Sequence, residues 1–176
     1  GRTDARGWLD SRPVAVELEA IRVALELAGE TGCALHLVHV SSPEGIALVT
    51  EARLNRVDVT AETCPHYLLL NEKDVERLGP LAKCAPPLRD EKRRKALWAE
   101  LRAGRIQTVG SDHSPARPEM KDSANMFAVW GGIAGVQIVA SQNQPLNEQQ
   151  ATPFIEQFLQ NKARMDLAKT ELKNLR

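Results

Sequence analysis

The sequence predicts an α/β protein built on a short parallel sheet, and three observations carry that prediction. Strand-length apolar runs alternate with segments of helical period, in the order helix, strand, helix, strand, loop, helix, strand. Such alternation implies parallel β–α units joined by right-handed crossovers. The strands are short and strongly apolar, the composition expected where both faces of a sheet are covered. Each strand then runs into a polar cluster: residues 34–40 into Ser41-Ser42, residues 57–62 into Thr63-Cys64-Pro65-His66-Tyr67, and residues 106–110 into Ser111-Asp112-His113-Ser114-Pro115. Ligands gather at the carboxyl ends of parallel strands, so the three endings point to one site on one face of the sheet.

The elements follow in order. Ser11-Arg12-Pro13 reads as a helix start, with proline near the first turn. In residues 14–28, Val14, Leu18, Ile21, Leu25 and Ala28 keep helical spacing, and Gly29 and Gly32 supply the stop. After the first strand, Ser42-Pro43-Glu44 caps a helix over about 43–54, with Ile46, Val49 and Leu54 as its apolar positions. A short helix near 72–78 follows the second strand, capped by Asn71. Residues 83–89 cannot be regular helix, because Pro86 and Pro87 fix φ and remove donors. Asp90 caps a helix over about 90–103, which Gly104 closes before the last strand. From residue 139 the character changes. A polar stretch, 141–150, leads to an amphipathic helix over about 153–173, with Phe154, Phe158, Met165 and Leu172 near heptad spacing. Packing on the body or on a partner is its simplest role. The expected division is therefore 1–138 and 139–176.

Composition narrows the partners. With Lys+Arg and Asp+Glu balanced at 23 each, the chain has no basic excess to attract nucleic acid or an anionic membrane. No window approaches a membrane-spanning length of apolar residues, and the first residues lack the apolar centre of a signal peptide. Cys33, Cys64 and Cys84 form no Cys-x-x-Cys pair, which supports neither a disulfide framework nor a zinc ribbon. A reducing, cytoplasmic setting is expected.

The residues with chemical potential are few. His39 ends a strand before two serines and reads either as a metal ligand or as a satisfied strand histidine. His36, three residues earlier, points to the opposite strand face, so the two cannot chelate one ion on a regular strand. Asp112 follows an apolar strand directly, where a carboxylate is costly unless paired, hydrogen-bonded or metal-bound; capping the next turn is the alternative. Cys64-Pro65-His66 has metal-pair spacing of low specificity, and a turn fixed by Pro65 competes with it. Arg89 reads as a clamp for an acidic substrate or as a partner of Asp90. The glycines of Trp130-Gly131-Gly132-Ile133-Ala134-Gly135 permit close approach to a ligand, or simply a turn.

Seven segments in order, over about residues 5–137, resemble the cyclic amidohydrolases of the amidohydrolase superfamily, their allantoinase branch most closely. They are Ser11-Arg12-Pro13 with its glutamate-rich helix, residues 37–45 (LVHVSSPEG), residues 62–67 (ETCPHY), residues 81–89 (LAKCAPPLR), residues 110–115 (GSDHSP), residues 118–121 (PEMK) and residues 130–135 (WGGIAG). His66 and the last two segments favour the allantoinase branch over the hydantoinase type. The resemblance implies a partial (β/α)8 barrel, about its last three strands, from a fold that normally takes ~250 residues. It implies two bridged metal ions per complete barrel, zinc or another divalent metal, and hydrolysis of (S)-allantoin to allantoate in purine catabolism. Dihydroorotase or hydantoinase activity, or a non-catalytic scaffold, are the alternatives. By matching position, His39 and Asp112 would be metal ligands on the sixth and eighth strands, with Asp112 also the catalytic base. His66, Ala85, Pro86, Ser114, Gly131 and Gly132 would bind the cyclic ureide. The complete enzyme would be a homo-oligomer. The family's other ligands, a His-x-His, a carboxylated lysine and a further histidine, have no counterpart in this chain, so the isolated chain is expected to be inactive.

Overall fold

The computed structural model describes residues 1–135, and the structural statements below concern those residues. The division at 138/139 and the helix expected over about 153–173 lie outside the described residues. The chain opens with a short helix, α1 (Ala5–Asp10), whose first turn is held by the Asp4 side chain accepting from Gly7 N at 2.9 Å. The longer α2 (Val14–Thr31) starts at Pro13, passes through Gly29 and ends at Gly32, whose φ of +69° is the left-handed stop that glycine adopts at little cost. Three strands follow in parallel: β1 (Leu35–Leu37), β2 (Val59–Thr63) and β3 (Thr108–Val109), with β2 central. Register pairs Leu35 with Val59 and Glu62 with Thr108.

Between the strands lie α3 (Pro43–Leu54), α4 (Pro65–Leu69), α5 (Glu72–Leu78) and α6 (Glu91–Arg102). Ser42, Asn71 and Asp90 cap α3, α5 and α6 through their side chains, as their residue types predict. On α3, Ile46 and Val49 are fully buried. Leu54 was expected to share that face but is 81% exposed, because it falls at the last helical residue, beyond the packed surface. Gly45 marks a close approach: a Cβ there would stand 2.9 Å from both Ile21 Cδ1 and Val40 Cγ1. The helices α1 and α4 have no apolar period long enough to announce them, although Pro65 at the first turn of α4 is a start signal in retrospect.

The sheet departs from its expected two-sided cover. Val59, Ala61 and Thr63 of β2 are buried, whereas Thr60 and Glu62 face the other way and are half-buried. On that second face His36 Nδ1 lies 2.7 Å from Thr60 Oγ1, and Thr108 donates to Glu62 Oε2 at 3.3 Å. A row of hydrogen-bonded polar groups, not an apolar layer, covers this side among the described residues. The two outer strands are shorter than predicted, but their pairing continues past them. Val40 N donates to Glu62 O at 2.8 Å, and Gln107 N and Gly110 N donate to Ala61 O and Thr63 O at 3.0 Å each.

Candidate metal centre

Because the strands are parallel, everything following their carboxyl ends lies at one end of the sheet. Beyond β1 the backbone turns sharply at His39, where φ is +46°; beyond β3 it does so at Asp112, where φ is +42°. Three non-glycine residues among those described adopt positive φ, and Arg56 in a turn is the third. Histidine and aspartate tolerate this region better than most side chains. It still carries strain, which persists where the surroundings fix it and which concentrates at functional sites. The turn after His39 is fixed by Ser41, whose N–H and hydroxyl both donate to Glu17 at 2.7 Å. Arg89 completes the arrangement: it donates to Ser41 Oγ at 2.8 Å, to Arg12 O at 2.7 Å and to Glu17 Oε2 at 3.2 Å. The expected pairing of Arg89 with Asp90 is not formed. Arg89 is buried against Glu17, while Asp90 pairs with Arg93 at 2.5 Å.

The end of β2 supplies the densest chemistry. Cys64 precedes α4, and His66 lies in its first turn. A Cys64 sulfur, a His66 ring nitrogen and an Asp112 carboxylate oxygen all lie within 4.8 Å of one another. Cys64 is fully buried, His66 is 1% exposed and Asp112 is open to solvent. Neither ring nitrogen of His66 has a hydrogen-bond partner among the described residues. Burial pushes the His66 imidazole down to about 4, against an upward pull from the Asp112 carboxylate and with a further downward push from His39. Burial likewise pushes the Cys64 thiol up to about 12, with Asp112 and Glu62 adding to it. In metal-free protein at neutral pH, His66 is therefore a neutral imidazole and Cys64 a thiol.

His39 does not belong to the Cys64–His66–Asp112 group. It lines a neighbouring cleft of about 420 Å³ together with His36, Val38 and Pro86. His36 Nδ1 also meets Thr60 Oγ1; because the strand ends at Leu37 and the backbone turns at His39, the offset expected to put the two histidines on opposite faces does not apply, and both line this cleft. Ala85 is exposed beside Pro86, whose carbonyl accepts from the Tyr67 hydroxyl at 2.8 Å. Gly132 has φ of +138° and packs so tightly on Ser114 that a side chain there would collide with the serine hydroxyl. Gly132 N donates to Lys83 O at 2.8 Å, and Ser114 N donates to Ile133 O at 3.1 Å. The segments carrying Ala85, Ser114 and Gly131-Gly132 are thus brought side by side. His66, expected to touch substrate directly, is buried beneath the surface and offers no exposed atom for such a contact. Cys64 was not among the expected site residues. Its one signal was the Cys-x-His spacing, and the approach of Asp112 that gives this spacing meaning is a long-range feature.

No family model matches the chain. It is similar to an allantoinase from Deinococcus radiodurans, 57% identical over 137 residues, which are 78% of this chain and 31% of that protein. An allantoinase from Solibacter usitatus is 56% identical over the same length, 78% of this chain and 30% of the relative. Among solved structures, the L-hydantoinase (dihydropyrimidinase) from Arthrobacter aurescens superposes with a TM-score of 0.75 at 38% identity, covering 78% of this chain and 31% of that one. The chain therefore spans about a third of the length of the curated relatives it matches.

Proposed function

We propose that residues 1–138, which are similar over 137 residues to curated allantoinases, are the C-terminal portion of a (β/α)8 barrel that hydrolyses a cyclic ureide. The substrate proposed is (S)-allantoin, opened to allantoate in the cytoplasm by a homo-oligomeric enzyme with two zinc ions per complete barrel. The observation that carries the reading is the pair His39 and Asp112, both at positive φ and both past the same end of one parallel sheet. Imidazole and carboxylate are donors suited to zinc, and the unpartnered nitrogens of His66 beside Asp112 show a neighbourhood with donor capacity to spare.

In this reading His39 and Asp112 hold divalent metal. Such an ion supplies polarisation of a carbonyl and acidification of water. Asp112 takes the proton of the attacking water and delivers it to the ring nitrogen as the C–N bond breaks. Its open side gives substrate access to the carboxylate, and the buried Glu17–Ser41–Arg89 cluster holds the turn that orients His39. Ala85, Pro86, Ser114 and the Gly131–Gly132 backbone line the ring, with His66 beneath them.

A chimera tests this, with residues 1–135 replacing their counterpart in the Deinococcus radiodurans relative. It is expected to hydrolyse allantoin, and Asp112→Asn to lower its kcat by about 10²- to 10⁴-fold. Turnover of hydantoin or dihydroorotate alone would reassign the substrate. A folded chimera that loads metal and hydrolyses nothing would leave a scaffold as the better reading.

A further inference from the structure

We propose that Cys64, His66 and Asp112 form a metal site of their own, a three-ligand centre for a borderline-soft divalent ion such as zinc. The site shares Asp112 with the hydrolytic reading but uses neither His39 nor any step of hydrolysis. Three protein ligands with a fourth position open toward solvent is the arrangement that lets zinc enter and exchange.

The donors are matched to the ion in kind and in charge. Thiolate sulfur and imidazole nitrogen together favour zinc over magnesium or calcium, which prefer oxygen. One thiolate and one carboxylate neutralise a doubly charged ion, and the neutral imidazole adds no charge. The resulting centre is uncharged overall, which suits a pocket with two of its three ligands buried. The ligand atoms already lie within 4.8 Å of one another. A tetrahedral site with bonds of about 2.0–2.3 Å brings its ligands to roughly 3.5 Å, so only a small contraction is required.

An independent observation points to the same occupant. His66 is 1% exposed, and neither ring nitrogen has a partner among the described residues. Buried polar atoms are rarely left in this state without a reason. One nitrogen faces the Cys64 sulfur and the Asp112 carboxylate, so a metal ion satisfies it where a protein donor does not. On binding, the Cys64 S–H bond is exchanged for an S–metal bond and the proton leaves to solvent. Occupancy also engages the Asp112 carboxylate, so zinc in excess would withdraw the group proposed to move the substrate's proton.

The test reads the metal directly. With one equivalent of zinc on the full 176-residue chain, X-ray absorption is expected to show one sulfur at about 2.3 Å with imidazole scattering. Cobalt(II) in place of zinc should give a thiolate-to-metal charge-transfer band. That band should vanish in Cys64→Ser, persist in Cys33→Ser and Cys84→Ser, and persist in His39→Ala. His66→Gln should weaken binding more than about tenfold. A first shell without sulfur, a band that survives Cys64→Ser, or no binding would overturn the proposal; the first of these, with binding lost in His39→Ala, would return the metal to the hydrolytic centre alone. The zinc absorption measurement needs no variant, so misfolding of Cys64→Ser does not decide the matter. A positive result with an inactive chimera would sink hydrolysis and leave this site standing.

Discussion

His66 shows how one side chain can report on a whole site. As a free imidazole it would carry a proton below about pH 6.5, but burial holds it neutral down to about 4. The unfolded chain therefore binds the extra proton first, and stability falls as pH drops through that window. The shift corresponds to something on the order of 3 kcal/mol, fully present above pH 6.5 and lost as pH falls through about 4. In metal-free buffer, urea midpoints of the unaltered chain should decline between those values, and those of His66→Gln should decline less. Parallel curves would show that His66 is not the group responsible. At this scale the sequence was legible where a residue type met a conspicuous position: His39 and Asp112 stand out as polar groups at the ends of apolar strands. It was illegible where meaning depends on distant partners. Arg89 reaches back to Glu17, 72 residues away in sequence, and nothing local predicts that pairing over Asp90, the adjacent carboxylate.

Helices were read from their caps and strands were not read as well from their apolar runs. Asn71, Asp90 and Ser42 announce α5, α6 and α3 because a cap is a local hydrogen bond between neighbours in sequence. Strand length is different, since it depends on the backbone conformation at the exit. The positive φ at His39 ends β1 before the apolar pattern ends, as Val38 and Val40 attest. The approach of α3 to α2 and to the end of β1 gives an element-scale prediction. At Gly45 even one added carbon crowds Ile21 and Val40. Gly45→Val should destabilise the chain by roughly 1–3 kcal/mol through overpacking, read as a lowered urea midpoint. An unchanged midpoint would mean that α3 moves freely and does not hold the His39 turn in place.

At the scale of the whole set of described residues, the governing fact is a three-stranded sheet with two outer strands. Among the described residues β1 and β3 each pair on one side only, and Val38 and Val109 are about half exposed there. Unpaired strand edges are templates for further strands. Sedimentation velocity of the isolated chain is expected to show reversible self-association that grows with concentration; a single monomeric boundary at all concentrations would show that the edges are protected. The sequence did predict parallel order, because alternation and crossover handedness leave little choice. It did not predict which side of the sheet would be polar, since short strands with two or three residues per face carry too little pattern to distinguish a covered face from a wet one.

The row of His36, Thr60, Glu62 and Thr108 has a consequence for heredity as well as for folding. A sheet face already lined by hydrogen-bonded polar groups tolerates water where it is left uncovered. A face of that kind is portable: recombination can set it against a new neighbour without first requiring that neighbour to bury it.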